Sequence, residues 1–188
     1  MTQGNNIVLT GGLHCGKSTI VRRAVATLAV DFLGVLCEPV IRKNIVMGYG
    51  LRMVGKSGLH IFAHVNIKSM KRFGKYGIDL APFDRAAEYI EKSLLQHPRL
   101  FVIDEIGPVE DAVPKYKLAL DGLFNSHIPS LVVVQRRAKY LQEVKTRQDV
   151  ILLELTNNHR ALAGQILNLL KEIAVIIFLL FFRMSILI

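Results

Sequence analysis

The sequence predicts an α/β fold in which a mostly parallel sheet is flanked by helices on both faces. Short apolar runs alternate along the chain with segments whose apolar residues recur at helical spacing. This alternation is typical of parallel sheets that are covered by helices. A glycine-rich turn joins the first apolar run to the first helical segment. The chain has 188 residues, which suits one domain, because domains usually contain roughly 100–200 residues.

The first predicted unit is a strand, a glycine-rich loop and a helix. Residues 5–10 form a short apolar run that leads into Gly11-Gly12, and residues 17–31 carry apolar side chains at helical spacing. Between residues 33 and 65, short apolar stretches separated by glycine or lysine favour hairpin strands over helices. We therefore expect a β-hairpin insertion after the first helix.

The rest of the chain returns to alternating helices and strands. The predicted elements are a helix from about 80 to 95, a strand at 100–103, a helix at 113–124, a strand at 130–134, a short helix at 139–145, a strand at 150–155 and a last helix at 159–173. No internal repeat and no second domain is visible in the sequence. Residues 1–172 are therefore expected to form one domain.

Charge and cysteine content narrow the function classes. The formal net charge is +9, and residues 39–78 contain eight basic residues and no acidic one. This basic segment is either a solvated surface or the binding surface of an anionic partner, such as nucleotide phosphate, nucleic acid or acidic lipid. The two cysteines, Cys15 and Cys37, lack paired spacing, and the N-terminus lacks a secretion signal. These features exclude a disulfide scaffold and predict a cytoplasmic protein.

A phosphate-binding loop is predicted between the first strand and the first helix. Residues 11–18, GGLHCGKS, match the pattern G-x-x-x-x-G-K-[ST] in that structural context. Backbone N–H groups of such a loop bind phosphate, its lysine reaches the β- and γ-phosphates, and its serine hydroxyl ligates Mg²⁺. Cys15 is either an ordinary loop residue or a thiol activated by Lys17 and the helix N-terminus. The predicted nucleotide-binding residues are Gly11, Gly12, Leu13, His14, Cys15, Gly16, Lys17, Ser18 and Thr19.

Two carboxylates end the apolar run at residues 100–103. Asp104 suits the Mg²⁺ site at the end of a strand beside the phosphate loop. Glu105, next to it, suits a base that orients and deprotonates a water molecule for attack on the γ-phosphate. A phosphotransferase must instead exclude water and admit a second substrate. The acidic pair therefore favours hydrolysis.

Four sequence blocks resemble the small nucleoside-triphosphatase family of P-loop proteins first recognised in thermophiles, a family with cancer-related homologues. The blocks are residues 6–11 with 16–19, 34–42, 72–78 and 102–107 with Glu110. The resemblance implies a RecA-like fold with an added strand between the two nucleotide motifs. It also implies Mg²⁺-dependent hydrolysis of several nucleoside triphosphates, including ATP and GTP, to diphosphates. The site residues it implies are Gly11, Gly16, Lys17, Ser18 and Thr19 for phosphate and Mg²⁺, with Asp104 and Glu105 for the metal shell and the water.

Five further polar residues are candidates for contact with the triphosphate. Gln135, at the end of a predicted strand, is a candidate sensor of the γ-phosphate. Arg136 or Arg137 would supply transition-state charge in cis, or both are surface residues at a turn. Arg72 and Lys75, within a block that resembles the family, either approach the triphosphate or belong only to the basic segment.

Two other functions fit parts of the sequence. A nucleotide or small-molecule kinase would use the basic segment 39–78 to hold an acceptor. A nucleotide-gated module would use the same segment to contact RNA or DNA, but few aromatic residues accompany its basic ones, which makes nucleic acid a less favoured partner. The sequence leaves the oligomeric state open.

The C-terminal residues 173–188 form a hydrophobic tail that lies beyond the family resemblance. Fourteen of these sixteen residues are apolar, and Arg183 interrupts the run. A membrane-spanning helix needs about 20 apolar residues, so a full crossing is not expected. The tail is expected to pack on the core or on a second subunit, or to have no selected role, in preference to lying in a membrane interface.

Overall fold

A nine-stranded mixed sheet forms the centre of the computed structural model, which describes residues 5–12, 15–155 and 161–172. The strands are β1 Asn6–Gly11, β2 Leu33–Arg42, β3 Ile45–Met53, β4 His60–His64, β5 Arg72–Phe73, β6 Tyr76–Ile78, β7 Phe101–Ile106, β8 Ser130–Gln135 and β9 Val150–Leu155. Their order across the sheet is β5-β6-β4-β3-β2-β7-β8-β1-β9.

The helices are α1 Lys17–Leu28, α2 Ala81–Leu94, α3 Pro114–Asn125 and α4 Tyr140–Lys145. Glu110–Ala112 form a 3₁₀ turn after β7, and residues 161–172 are also helical. The predicted α/β class with flanking helices is confirmed, and the predicted elements lie within a few residues of the observed ones. The sequence analysis missed the short strands β5 and β6 and the 3₁₀ turn.

The sheet has two halves that meet at β2. In the parallel half, β2, β7, β8, β1 and β9 all pair in parallel. In the antiparallel half, β2, β3, β4, β6 and β5 pair in antiparallel fashion. Only the first four residues of β2 pair with β7, whereas its length from Val35 to Arg42 pairs with β3. The insertion therefore extends the main sheet, and the sheet is less dominated by parallel strands than expected.

Helices cover both faces of the parallel half. Side chains alternate along β1, so that Ile7 and Leu9 pack in the cluster that includes α1 and the helix at residues 161–172. Val8 packs in the opposite cluster with α2, α3 and α4. All three side chains are fully buried. Burial on both faces explains why these strands are continuous apolar runs in the sequence.

The first helix begins directly after a glycine in the left-handed conformation. Gly16 has a φ of 91°, which glycine adopts without steric cost, and α1 follows at Lys17. Its buried apolar residues Ile20, Val21, Ala24 and Val25 recur at helical spacing. This stripe fixes the helix against the sheet and points its N-terminus at the end of β1.

The predictions for the hydrophobic tail concern residues 173–188, which lie outside the described residues, as does the segment 156–160. Within the described parts of the chain, no helix combines the length and the apolar character that a membrane crossing needs.

Candidate active site

The carboxyl ends of β1, β8 and β7 meet at one edge of the parallel half. β8 lies between β1 and β7 and pairs with both. This is the added strand between the two nucleotide motifs that the family resemblance implies, and it is confirmed. Ligands of open α/β sheets bind at this edge. The phosphate loop, the acidic pair and Gln135 therefore come from three neighbouring strand ends.

Lys17 connects the described residues on either side of the phosphate loop. Lys17 is 4% exposed, and its Nζ donates a hydrogen bond of 2.7 Å to the carbonyl oxygen of Gly12. The same Nζ lies 3.6 Å from Glu105 Oε2. A Cβ on Gly11 would lie 2.9 Å from Cys15 Sγ, so the loop start is also too tight for another residue. The ammonium group therefore links the loop to the end of β7.

Ser18 and Asp104 form the candidate metal site. Ser18 Oγ donates a hydrogen bond of 2.9 Å to Asp104 Oδ1. Asp104 is 2% exposed, and this burial raises its pKa to about 6, although the bond from Ser18 opposes the shift. A neighbouring cation would stabilise the charged form of such a buried carboxylate.

The donor set fits Mg²⁺. A hydroxyl and a carboxylate supply the hard oxygen ligands that Mg²⁺ prefers, and this ion usually keeps several waters and binds substrate phosphate. Among the described residues, no group of three or more His, Cys, Asp or Glu side chains is placed to hold a metal ion. An ion beside Asp104 would thus complete its shell with phosphate oxygens and water.

Glu105 is positioned by two partners. Its Oε1 accepts a hydrogen bond from Gln135 Nε2 at the end of β8, while its Oε2 faces Lys17. Its side chain is partly exposed and lines the cleft. The structure thus brings Lys17, Glu105 and Gln135 together. The sequence analysis had assigned each of these residues a role at the γ-phosphate.

A cleft of about 540 Å³ runs from the phosphate loop toward the antiparallel half. Its loop end is lined by Cys15, Gly16, Lys17, Ser18, Thr19 and Arg22. Glu105 on β7 and Gln135 on β8 also line the cleft, as do aromatic residues of β3 to β6 with Cys37 and Glu110, which by the strand order form its far end. The cleft is therefore continuous from the strand edge to the insertion.

Glu110 is a buried carboxylate on the 3₁₀ turn. It is 6% exposed, and its Oε2 accepts a hydrogen bond of 2.8 Å from the backbone N–H of Gly107. Burial raises its pKa to about 7, with the charges of Glu105 and Asp111 adding to the shift. Burial also raises the pKa of the Cys37 thiol nearby. The far end of the cleft thus contains a buried carboxylate and a partly buried thiol.

Other predicted residues lie away from the cleft. Arg136 pairs with Glu154 at an exposed position, and Arg137 is exposed as well. Arg72 donates to the carbonyl oxygen of Lys75 at 2.9 Å, and Lys75 Nζ lies 5.3 Å from the centroid of the Tyr76 ring. None of these four cations lines the cleft. Their predicted contacts with triphosphate stay predictions, and Leu13 and His14 lie outside the described residues.

The sequence analysis missed Arg22 and the roles of Glu110 and the aromatic wall. A signal for Arg22 was present, since it lies four residues after Ser18 on α1 and so on the same helix face. The aromatic residues gave no such signal, because each stands on a different strand.

Comparison with known proteins agrees with this geometry. A family model described as NTPase matches residues 6–167. The nucleoside-triphosphatase THEP1 of Natranaerobius thermophilus is 28% identical over 159 residues, which are 83% of this chain and 90% of that protein. THEP1 of Sulfolobus acidocaldarius is 29% identical over 155 residues, or 79% and 89% of the two chains.

Two solved structures share the fold. The crystal structure of THEP1 from the hyperthermophile Aquifex aeolicus matches with a TM-score of 0.75 and 24% identity, over 88% of this chain and 99% of that one. The solution structure of a human cancer-related nucleoside triphosphatase matches with a TM-score of 0.68 and 23% identity, over 92% and 96%. Since the family model covers far more than half of the sequence, the chain belongs to the NTPase family.

Proposed function

We propose that the protein hydrolyses nucleoside triphosphates to diphosphates and phosphate in the cytosol, by attack of water on the γ-phosphate. The observation that carries this proposal is the position of Glu105, next to the candidate metal ligand Asp104 and held by Lys17 and Gln135. A carboxylate so placed suits a general base for water. The two free thiols, Cys15 and Cys37, are compatible with a reducing compartment.

The phosphate loop would bind the triphosphate. Its backbone N–H groups and the N-terminus of α1 supply partial positive charge, and Lys17 adds a full charge near the β- and γ-phosphates. Lys17 donates to the Gly12 carbonyl in this structure, so substrate would replace that acceptor with phosphate oxygen. Mg²⁺ held by Ser18 and Asp104 would neutralise charge on the β- and γ-phosphate oxygens when bound.

Glu105 would take one proton from the attacking water. The water oxygen forms a bond to the γ-phosphorus, and the bond from that phosphorus to the β–γ bridging oxygen breaks. The electron pair of the broken bond stays on the nucleoside diphosphate. Gln135 donates to Glu105, which keeps the carboxylate in one orientation and marks Gln135 as a positioning residue in this scheme.

Arg22 joins Arg136 and Arg137 as a candidate source of transition-state charge. It lines the loop end of the cleft, whereas Arg136 is engaged with Glu154. Arginines that stabilise phosphoryl transfer raise rates by about 10³–10⁵. Single alanine variants of the three arginines, compared by kcat, would identify the one that acts, and we expect the largest loss in Arg22→Ala.

The test is phosphate release from ATP, GTP, CTP and UTP with Mg²⁺ and no added acceptor. We expect one phosphate and one diphosphate for each triphosphate consumed, with activity on more than one base. The kinase alternative predicts no free phosphate: without an acceptor the triphosphate stays intact, and with one the γ-phosphoryl group is transferred to the acceptor. Wild-type protein that binds triphosphate but releases no phosphate would contradict the proposal.

A further inference from the structure

The cleft continues past the position expected for the γ-phosphate. Lys17 and Glu105 mark that position, because the loop lysine reaches the β- and γ-phosphates and the base must face the attacked phosphorus. In the order of strands across the sheet, the aromatic residues of the cleft stand on β3 to β6, on the opposite side of β7 and its Glu105 from β1, which leads into the loop. A triphosphate would occupy the loop end, so this far end has room for something else. The whole cleft, at about 540 Å³, is within the range of small-molecule pockets.

Four aromatic side chains from four strands form one wall of this far end. They are Tyr49 on β3, Phe62 on β4, Phe73 on β5 and Tyr76 on β6. Tyr49 and Tyr76 pack edge to face, with ring centroids 5.6 Å apart. Phe73 remains 47% exposed, although burying such a ring is favourable. An aromatic wall with one half-exposed ring is suited to cover a flat ligand.

The floor of the far end is acidic. Glu110 has one oxygen bound by the Gly107 N–H, and no lysine, arginine or histidine in the described parts of the chain forms an ion pair with it. The cations that line the cleft, Lys17 and Arg22, both belong to α1 at the loop end. A ligand N–H group or ammonium would therefore complement this carboxylate.

We propose that the far end of the cleft binds a second small molecule, a planar aromatic ring that carries an N–H donor or a protonated amine. The ring contacts the aromatic wall, and the N–H group donates to Glu110. This inference rests on the proposed function in one respect, since Lys17 and Glu105 define where the triphosphate ends. Nothing in it requires the ligand to react.

The experiment uses protein already loaded with Mg²⁺ and the non-hydrolysable β,γ-imido analogue of ATP, so that the triphosphate site is full. Binding of adenosine, cytidine, guanosine and tryptamine is then measured by calorimetry. Caffeine serves as a planar ring without an N–H donor, and cyclohexylmethylamine as an amine without a planar ring. We expect at least one of the four probes to bind about tenfold more tightly than both controls.

Two variants locate the binding. Phe73→Ala removes a half-exposed ring and should weaken the bound probe about tenfold, since base–aromatic contacts are of that size. Glu110→Gln keeps an acceptor for Gly107 but removes the negative charge, and should weaken tryptamine more than the nucleosides. Leu118→Ala, at an exposed apolar residue on α3, is the matched control and should leave affinity unchanged. Thermal unfolding verifies that each variant is folded.

The outcomes separate this inference from the proposed function. Failure of all four probes to bind the loaded protein overturns the second site and leaves hydrolysis standing. Binding that is equal in wild type, Phe73→Ala and Glu110→Gln overturns its location. Failure of the imido analogue itself to bind overturns the proposed function.

Discussion

The two halves of the sheet build their parts of the cleft in different ways. In the parallel half, the site comes from consecutive residues at strand ends, such as Gly16-Lys17-Ser18 and Asp104-Glu105. In the antiparallel half, each of the strands β3, β4, β5 and β6 contributes a single aromatic ring, as Tyr49 and Phe62 illustrate. The consecutive residues of the parallel half are visible in the sequence as short motifs, whereas the rings of the antiparallel half come together only in the folded protein.

The halves also differ in charge. The acidic residues of the cleft lie in the parallel half, Glu105 within β7 and Glu110 on the 3₁₀ turn after it. The insertion over residues 39–78 contains eight basic residues and no acidic one, yet none of its cations lines the cleft. Its contribution to the cleft is apolar, and its basic residues face elsewhere. In the proposed scheme the parallel half therefore carries the reactive groups, and the insertion contributes surface for contact with a ligand.

The largest expected effect is that of Glu105→Gln on hydrolysis. The amide keeps the size of the side chain but cannot accept the proton from water, and general-base catalysis contributes about 10²–10⁴-fold. We expect kcat for phosphate release to fall by that factor while affinity for the imido analogue is retained. Glu143→Gln, a surface variant whose parent residue pairs with Lys117, is the control. Full activity in Glu105→Gln would show that Glu105 is not the general base, so that this carboxylate of the parallel half would not take part in the reaction.

The next effect concerns the pH dependence of stability at Glu110. Its pKa in the folded protein is about 7, above the ordinary 4.5, so the folded state holds this proton more tightly than the unfolded chain. Stability from this residue is therefore present below pH 4.5 and is lost as the pH rises to 7. The full loss is about 3 kcal/mol. Glu110→Gln should remove this part of the slope, measured as unfolding free energy in urea from pH 4.5 to 7.5.

The exposed Glu91→Gln is the matched control for that experiment and should follow the wild-type curve. Asp104, whose pKa is raised from 3.8 to about 6, contributes a slope of the same sign and of comparable size at lower pH, so the Glu110→Gln curve should keep a clear part of the wild-type slope. A Glu110→Gln curve parallel to wild type would show that the far end of the cleft is well hydrated.

The contrast between the halves explains what the sequence could predict. The loop motif and the end of an apolar run identify four candidate site residues from their positions in the sequence: Lys17, Ser18, Asp104 and Glu105. Tyr76 could not be identified in this way, because its partners in the cleft come from strands whose order and register are set by long-range pairing. The short strands β5 and β6 are two and three residues long, which is too short for strand periodicity to be visible.

Arg136 illustrates a different limit. Its position after β8 could be predicted from the sequence. The direction of its side chain could not, because a strand-to-helix turn has no regular alternation of side chains. In the structure it faces Glu154, a residue of β9 that only the parallel pairing of β1 with both β8 and β9 brings near.

A third prediction tests the polar network at the opposite edge of the parallel half. The buried Asn6 Nδ2 donates to the carbonyl oxygen of Phe124 at 3.0 Å and to Asp149 Oδ2 at 3.1 Å, and its Oδ1 accepts from Ser130 Oγ at 2.7 Å. Asn6→Ala removes the partner of the buried Phe124 carbonyl and Ser130 hydroxyl, while Asp149 keeps Arg147, and should cost about 2 kcal/mol of unfolding free energy. Because the network lies far from the strand ends that form the site, the KM for ATP should not change.

Asn125→Ala is the control for Asn6→Ala, since the exposed Asn125 only accepts from Arg147. It should cost less than about 1 kcal/mol. If Asn6→Ala changes KM more than stability, the network is coupled to the phosphate loop through β1.

The smallest effect is expected for Tyr76→Phe in the antiparallel half. The Tyr76 hydroxyl donates to the carbonyl oxygen of Val46 across 3.4 Å, a long hydrogen bond at a half-buried position. Water can replace it, so the variant should lose less than about 1 kcal/mol of unfolding free energy, while the ring still packs against Tyr49. Urea unfolding of Tyr76→Phe beside Asn6→Ala compares the two halves directly. A loss in Tyr76→Phe as large as that in Asn6→Ala would mean that the insertion, like the parallel half, depends on specific buried hydrogen bonds and not on contact between rings.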